Sequence, residues 1–200
     1  MDSSALVLFS GGTDSTTLLY YVMKTLYYDK VETIFFAYGQ RHIIEMRNAR
    51  AIAGRLKIPF KVINIDLRQF GRSSLTTKDM DLPVIVPARN SIFLSLATAY
   101  AETRGLQDIF IGANCDDFKD FPDCRKEFIV LIGHALSVGN NIRGVFAPFV
   151  RMSKHQIVDM GKKLGVPFER TWSCYFPIDK DEKMKPCNKC HACIERNKVL

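Results

Sequence analysis

The sequence lacks a long apolar run. No stretch of its 200 residues reaches the roughly 18 apolar residues of a membrane span, so we expect no membrane insertion. Residues 1–4 (MDSS) include an acid and no basic residue, so we expect no secretory signal and a cytoplasmic protein. Internal repeats and low-complexity tracts are also missing. A hydrophobic content of 47% suffices for one good core, which predicts a single domain.

Acidic residues are fewer than basic ones. The chain has 28 Lys and Arg against 21 Asp and Glu, a formal net charge of +7. That excess suits anionic ligands such as nucleotides, or a nucleic-acid surface, although many basic soluble proteins bind neither.

Short apolar runs alternate with helical patterns along the chain. Strand patterns cover residues 5–9, 33–38, 60–65 and 109–111, and helical patterns cover 15–26, 44–56, 91–103 and 126–136. Ser153 and Gln156 have the spacing of a capping box, which predicts a further helix up to residue 164. The alternation predicts an α/β fold with an open, mostly parallel sheet and helices on both faces.

Two segments interrupt this alternation. Residues 68–87 are polar and show little periodicity, so we predict a mobile loop over a site. From Gly165 onward the chain has no regular periodicity, and a tail this short needs a cross-link or a bound metal to stabilise it. We therefore predict a main part, residues 1–165, with a C-terminal segment, residues 166–200, packed on it as one structural unit.

Residues 10–15 (SGGTDS) lie between the first strand and the first helix. Glycines allow a tight turn, and N–H groups at a helix start form an anion site together with the helix dipole. Ser10, Thr13 and Ser15 add hydroxyl donors, and Asp14 would orient the loop or hold Mg²⁺. The alternative is an ordinary Gly-Gly turn capped by Asp14. The Walker-A spacing is absent, which excludes a P-loop kinase.

Four of the six cysteines crowd into the last 27 residues: Cys174, Cys187, Cys190 and Cys193. Their spacing, C-x12-C-x2-C-x2-C, predicts a closed four-thiolate zinc site with a structural role. Nearby cations would offset its negative charge, namely Lys185, Lys189, Arg196 and Lys198. Free thiols, a redox pair and an iron–sulfur cluster stay open as alternatives, because spacing alone does not separate zinc from iron–sulfur.

The glycine-rich loop resembles the PP-loop of ATP pyrophosphatases, and five further segments resemble the QueC family of that superfamily. These segments are residues 38–42 (YGQRH), 86–90 (VPARN), 112–117 (GANCDD), 121–128 (FPDCRKEF) and 173–175 (SCY). The family usually has Gly at positions 88 and 120 and often Tyr at 121, where this chain has Ala88, Asp120 and Phe121. With the loop and the tail, the resemblance spans nearly the whole chain.

This resemblance implies an adenine nucleotide alpha hydrolase-like fold and a ligase that forms C–N bonds. The implied reaction takes 7-carboxy-7-deazaguanine, ammonia and ATP to 7-cyano-7-deazaguanine, for queuosine, archaeosine or modified DNA. ATP would adenylate the carboxylate, ammonia would give the amide, and a second activation would give the nitrile. We expect ATP, Mg²⁺ and Zn²⁺ as cofactors, a homodimer, and no stable binding of nucleic acid.

The resemblance also implies residue roles. The expected ATP site comprises Leu8, Phe9, Ser10, Gly11, Gly12, Thr13, Asp14, Ser15 and Thr16. The expected catalytic residues are Asp14, Ser15, Arg41, His42 and Arg125, and the expected substrate residues are Tyr38, Gln40, Arg89, Asn90, Asp117 and Asp123. The three arginines would clamp carboxylate or phosphate, and the two aspartates Asp117 and Asp123 would accept from a guanine-like face.

Several of these residues have a plainer interpretation. His42 is either a general base towards ammonium or a solvent-facing residue. Asn90 either reaches a ligand or caps its helix. Trp172 and Tyr175 are expected to pack around the tail.

Three rival functions stay open. A tRNA thiolase would need a persulfide-carrying cysteine, such as Cys115 or Cys124, and an RNA-binding surface, but no extra RNA-binding domain fits in 200 residues. A zinc-ribbon binding module would not need the intact loop. A QueC-like enzyme could instead couple its activated substrate to a protein or another amine.

Overall fold

The structure is a computed structural model that describes residues 3–40, 43–77, 79, 81–118, 121–180 and 183–200. Its main strands are β1 (Ser4–Leu8), β2 (Lys30–Ala37), β3 (Phe60–Asn64), β4 (Asp108–Phe110) and β5 (Gly144–Phe146). Its main helices are α1 (Thr13–Lys24), α2 (Ile43–Arg55), α3 (Arg89–Arg104), α4 (Lys126–Gly139) and α5 (Lys154–Leu164). The tail adds β6 (Ile178–Lys180), β7 (Lys183–Lys185) and α6 (His191–Val199). Short 3-10 helices cover Leu67–Phe70, Cys115–Asp117, Pro122–Cys124 and Phe168–Arg170.

Strands β1 to β5 form one parallel sheet in the order β3-β2-β1-β4-β5. The chain therefore adds β2 and then β3 on one side of β1. It then crosses to the other side of β1, where it adds β4 and β5. Open α/β sheets bind ligands in the crevice outside the carboxyl ends of the strands at such a reversal. The predicted open parallel sheet is confirmed.

Side chains of β1 alternate between two apolar cores. Ala5 and Val7 pack with residues of α1, α2 and α5 on one face. Leu6 and Leu8 pack with residues of α3 and α4 on the other face. Successive strand residues point to opposite faces, so an entirely apolar strand needs cover on both sides. The predicted helices on both faces are confirmed.

The ends of α5 follow the sequence signals. Ser153 Oγ accepts from the Gln156 N–H at 3.4 Å, and Gln156 Oε1 accepts from the Ser153 N–H at 2.9 Å, which completes the capping box. Gly165 ends the helix with a φ of 74°. Strand β5 was not predicted, because three residues at a sheet edge are too short to show a periodicity.

Residues 68–87 begin inside a 3-10 helix and continue as a loop, as predicted, but its middle is packed rather than open to solvent. Ser73 and Ser74 are each only 1% exposed, and Leu75 joins Leu67 and Val86 in a small apolar cluster. Leu75 also lines the cavity described below. The expected mobility stays a prediction.

The tail contains more regular structure than its lack of periodicity indicates. Strands β6 and β7 pair antiparallel, and α6 packs against α5. Its small core consists of cysteines surrounded by aromatic side chains rather than of aliphatic residues. In the part of the chain that the structure describes, no helix is long and apolar enough to cross a membrane.

Candidate active site

A cavity of about 320 Å³ lies at the carboxyl ends of β1, β2 and β4. Its lining comes from the loop after β1, the starts of α2 and α3, the loop after β4, and the C-terminal tail. The cavity therefore lies at the sheet reversal, where this fold class binds ligands. The glycine-rich loop forms one part of the lining, which we call the phosphate end, and a second group of charged and aromatic side chains forms another part, which we call the opposite end.

The backbone of the glycine-rich loop has the geometry of an anion site. Gly11 has a φ of 77°, and a Cβ there would lie 2.9 Å from the Ala49 Cβ, so only glycine fits. Gly12 is the N-cap of α1, and the first helical bond runs from the Thr16 N–H to the Gly12 carbonyl at 3.0 Å. The N–H groups of the intervening residues therefore have no partner within the helix. The alternative of a turn capped by Asp14 is wrong.

Hydroxyl groups brace this loop. Ser10 Oγ lies 3.0 Å from Ser15 Oγ and accepts from the Gly12 N–H at 3.3 Å. The Ser15 hydroxyl also donates to the Gly12 carbonyl at 3.3 Å. Most of the expected ATP residues line the cavity: Leu8, Phe9, Ser10, Gly12, Thr13, Asp14 and Ser15. Gly11 instead makes the turn, and Thr16 is fully buried behind it.

Two carboxylates lie beside the loop and share one donor. Asn114 Nδ2 donates to Asp14 Oδ2 at 3.0 Å and to Asp117 Oδ2 at 2.8 Å. Lys154 Nζ lies 3.4 Å from Asp117 Oδ1. Burial raises the pKa of Asp14 to about 6, although Lys154 acts to lower it. Burial likewise raises the pKa of Asp117. Paired carboxylate oxygens next to an anion site suit a Mg²⁺ ion bound together with phosphates.

The opposite end of the cavity combines Arg89 with Tyr38, Glu45 and Tyr175. The Arg89 guanidinium lies 5.9 Å from the centre of the Tyr38 ring. Burial raises the pKa of Glu45 to about 8, and Arg89 acts to lower it. Burial also raises the pKa of Tyr175. This end therefore offers aromatic faces, the Arg89 cation and the Glu45 carboxyl group, whose pKa burial raises.

The start of α3, which carries Arg89, contains a residue with an unusual backbone conformation. Ala88 is the N-cap of α3 and has a φ of 52°, in the left-handed region that favours glycine. The Asn90 N–H donates to Asp123 Oδ2 at 3.1 Å, and Asn90 Nδ2 donates to the Asp123 carbonyl at 3.3 Å. Asn90 lines the cavity but is not the helix cap, which corrects that alternative.

Other expected site residues lie elsewhere. The structure does not place Asp123 or Arg125 in the cavity lining. Asp123 binds the start of α3, and Arg125 is exposed with its Nε 3.5 Å from the Phe118 carbonyl. Gln40 lines the cavity, but its side chain binds the Tyr38 N–H and the Phe36 carbonyl. Arg41 and His42 lie outside the described residues. The catalytic and substrate roles of all these residues stay predictions.

Sequence reasoning missed several residues that line the cavity: Glu45, Lys154, Trp172, Ser173, Tyr175 and Arg196. Trp172 and Tyr175 were expected only to pack around the tail. They do contact the cysteine cluster, but they also face the cavity. No local signal distinguishes Glu45 or Lys154 from other charged residues near a helix start.

The four tail cysteines converge. Their sulfur atoms all lie within 4.8 Å of one another, and Cys187 Sγ lies 4.0 Å from Cys193 Sγ. Zinc–thiolate bonds of about 2.3 Å in a tetrahedron place sulfurs about 3.8 Å apart, so the set fits one zinc ion. Backbone N–H groups of Cys187 and Cys190 lie 3.2 and 3.3 Å from Cys174 Sγ and Cys187 Sγ. Burial raises the pKa of Cys187, but N–H groups outweigh it and lower that pKa to about 7.

Comparisons with known proteins agree with this geometry. A family model described as queuosine biosynthesis protein QueC matches residues 4–200. The chain belongs to the QueC family. A relative from Thermoplasma volcanium, named 7-cyano-7-deazaguanine synthase, is 41% identical over 99% of this chain and 86% of its own length. A relative of the same name from Rickettsia bellii is 39% identical over 96% of this chain and 91% of its own length. This QueC chain is therefore an enzyme, as predicted.

Solved structures at lower identity share the fold. NMN synthetase from Francisella tularensis matches with a TM-score of 0.57 at 18% identity, over 84% of this chain and 64% of that one. U34-tRNA thiolase NcsA from Methanococcus maripaludis, solved with its [4Fe-4S] cluster, matches with a TM-score of 0.57 at 13% identity. The match covers 100% of this chain and 65% of that one. The predicted adenine nucleotide alpha hydrolase-like, PP-loop fold of this QueC chain is confirmed.

Proposed function

We propose that this chain uses ATP to convert 7-carboxy-7-deazaguanine and ammonia into 7-cyano-7-deazaguanine. The observation that carries the proposal is one cavity that joins a phosphate-type loop to an end lined by Arg89, Glu45 and two tyrosines. A nucleotide and a flat acidic heterocycle would meet between these ends. The names of the curated QueC relatives support the same reaction.

The chemistry explains why two activations are needed. A carboxylate oxygen of the substrate attacks the α-phosphorus of ATP, and pyrophosphate leaves. Ammonia then attacks the acyl carbon, so that AMP leaves, a proton is released and an amide forms. The amide oxygen attacks the α-phosphorus of a second ATP, so that pyrophosphate leaves, and loss of AMP and two protons from the adenylated amide forms the nitrile. Each adenylation converts a poor leaving group into a good one.

Residues of the phosphate end would hold the first reacting groups. We propose that N–H groups and hydroxyls of the loop, residues 10–15, bind the phosphate groups. Asp14 and Asp117 would hold Mg²⁺, with Lys154 beside Asp117. Bound Mg²⁺ would supply charge neutralisation for the departing pyrophosphate. Because Asp117 lies beside Asp14, we now propose this role for it instead of recognition of the guanine-like face.

Residues of the opposite end would hold the acid. Arg89 would bind its carboxylate, because a guanidinium presents paired donors to a carboxylate. Tyr38 and Tyr175 would hold the faces of the heterocycle. Glu45 would bind its guanine-like edge, a role that the sequence alone assigned to Asp123.

We propose zinc for the cysteine cluster. Four sulfurs within 4.8 Å of one another would surround one ion, whereas an iron–sulfur cluster spreads its cysteines over separate iron atoms. All four ligands being thiolates, the site is closed and structural. The metal site and the hydrogen bonds of Trp172 and Arg196 to the loop together support the prediction that residues 1–165 and 166–200 act as one unit.

The tRNA thiolase alternative has one observation in its favour, since Cys124 lines the cavity. However, burial raises the pKa of Cys124 to about 12 and also raises that of Cys115. A thiol that stays protonated is a poor nucleophile and a poor persulfide carrier. We therefore favour the synthase.

A homodimer remains part of the proposal. Helix α4 exposes Val130, Leu131 and Val138 on one side, with exposed fractions of 56%, 71% and 75%. A second copy of the chain would cover these side chains. Light scattering should then show a dimer for the wild type and a monomer for Leu131→Lys, and a monomeric wild type would contradict this part of the proposal.

The decisive experiment incubates the protein with 7-carboxy-7-deazaguanine, ammonium, ATP and Mg²⁺, followed by mass analysis of all products. We expect the nitrile together with AMP and pyrophosphate, and about 1,000-fold slower formation of all three by the Asp14→Asn variant. A parallel reaction contains unmodified tRNA and a protein mixture. The proposed acceptor would be overturned if the acid stays unchanged in the first reaction. It would also be overturned if the second reaction attaches the heterocycle to a protein or transfers sulfur to tRNA.

A further inference from the structure

Arg196 of α6 reaches from the tail to the glycine-rich loop. Its guanidinium donates to Thr13 Oγ1 at 3.1 Å and to Thr171 Oγ1 at 2.7 Å. A second nitrogen donates to the Phe168 carbonyl at 2.6 Å. The planar guanidinium thus joins two separate segments, the glycine-rich loop and the turn at residues 168–171, a geometry that lysine cannot reproduce.

The segment before the first cluster cysteine also touches the loop. The Trp172 N–H donates to the Gly11 carbonyl at 3.0 Å, and Ser173 Oγ lies 3.4 Å from Thr13 Oγ1. The Trp172 indole N–H donates to the Cys174 carbonyl at 3.0 Å. Two neighbouring positions of the loop are therefore bonded to the chain immediately before Cys174.

Each of these two contacts with the loop comes from a residue that is close in sequence to a cluster cysteine. Arg196 follows Cys193 by three residues, so it lies about one helical turn further along α6. Ser173 directly precedes Cys174. Helix α6 has only nine residues and one buried side chain, Cys193. A helix this short is unstable alone, so we expect a metal bound to Cys190 and Cys193 at its start to help hold it in position.

Within the described part of the chain Arg196 forms no ion pair, and its hydrogen bonds go to hydroxyl and carbonyl oxygens. Burial lowers its pKa. A cation kept this close to a phosphate-type loop increases the attraction of the loop for an anion.

We propose that Arg196 is a positioning residue through which the cysteine cluster holds Thr13, and so the glycine-rich loop, in its ATP-binding conformation. The inference rests on the ATP site of the proposed function, which it deepens. The metal would thereby act on nucleotide binding at a distance, in addition to stabilising the tail.

The first test compares Arg196→Met with Lys198→Met, a matched loss of charge two residues further along the same helix. The Lys198 side chain is 59% exposed, and its ammonium group binds the Glu195 carboxylate. We expect Arg196→Met to keep its metal and to weaken ATP binding about tenfold, the effect of one charged hydrogen bond. The KM for the acid should stay unchanged, and Lys198→Met should match the wild type. A merely structural role would instead change both KM values and the melting temperature together.

The second test does not depend on ATP. Hydrogen exchange of the amides of residues 10–16, measured without ligand, should become faster in Arg196→Met and after removal of the metal from the wild type. Exchange should stay unchanged in Lys198→Met. This readout separates failure of the inference from failure of the proposed function, because the loop can be tested whether or not ATP is the ligand.

Thr13→Val and the double variant complete the test. If Arg196 acts through Thr13, the double variant should weaken ATP binding no more than Arg196→Met does, because the contact is already lost. If Arg196→Met fails to fold, Arg196→Lys replaces it, with an intermediate expected loss. Unchanged loop exchange in the folded variant, or additive effects of the two substitutions, would overturn the proposal.

Discussion

The two ends of the cavity are built in opposite ways. The phosphate end uses mainly backbone groups of one short segment, residues 10–15, held by a turn that requires Gly11. The other end uses side chains from distant parts of the chain, such as Tyr38, Arg89 and Tyr175. The anion-binding turn itself comes from one segment and the strand before it, although Asp117 and Arg196 reach it from other elements. An assembled site depends on every element that carries one of its residues.

The tail connects the two ends. Trp172 and Arg196 contact the loop, whereas Tyr175 lies near Arg89 in the opposite end. Disruption of the cysteine cluster should therefore affect both ends, and a change of a residue that contacts only one end should affect that end alone. The predictions below test this difference, starting with the largest expected effect.

Asp14→Asn should lower kcat by about 1,000-fold, because it removes the charge proposed to hold Mg²⁺ at the departing pyrophosphate. Asn114 can still donate to the new side-chain oxygen, so the fold should persist. Asp159→Asn, an exposed substitution on α5, is the control. Steady-state kinetics and thermal melting check this. Retained turnover would remove Asp14 from the mechanism.

Cys187→Ser should lower the metal content and reduce Tm by about 5–10 °C, because the tail depends on the cluster. Unlike Asp14→Asn, it should raise the KM values for both ATP and the acid. Cys115→Ser, outside the cluster, should change neither. Metal analysis, melting and kinetics measure these effects. A variant that is metal-free, folded and fully active would contradict the structural role, and so would a disulfide between cluster cysteines in the wild type.

Arg89→Lys should raise the KM for the acid about tenfold, since lysine loses the paired donors of the guanidinium. Binding of ATP, measured by calorimetry, should match the wild type, because Arg89 belongs to the opposite end. Arg151→Lys, an exposed change, serves as control. If Arg89→Lys weakened the binding of ATP and of the acid equally, the two ends would not be separate.

Ala88→Gly should have the smallest effect, a gain of about 0.5 kcal/mol in the free energy of unfolding. Relief of the left-handed φ of 52° favours the variant, and the greater freedom of glycine in the unfolded chain opposes it. The kcat should stay within about twofold, because the position of Arg89 is kept. Denaturant titration measures the change, and a loss of stability would contradict the strain at this position.

Some features were predictable because their signals are local. The glycine-rich loop, the capping box at Ser153 and the cysteine spacing each depend on residues close in sequence. Strand β5 escaped prediction because its pairing with β4, and not its own pattern, makes it a strand. Glu45 escaped because nothing in its segment indicates that the first turn of α2 faces the cavity.

By itself, the sequence determined the α/β alternation, the anion-binding loop, the set of four cysteines and the resemblance to a family. Only the tertiary structure decided which distant residues meet. It places Asp117 beside Asp14, Tyr175 beside Arg89 and Arg196 against Thr13, and it leaves Asp123 at the start of α3. The physical reason is that backbone sites follow from local conformation. Side-chain sites instead follow from the packing of helices and strands that are far apart in the chain.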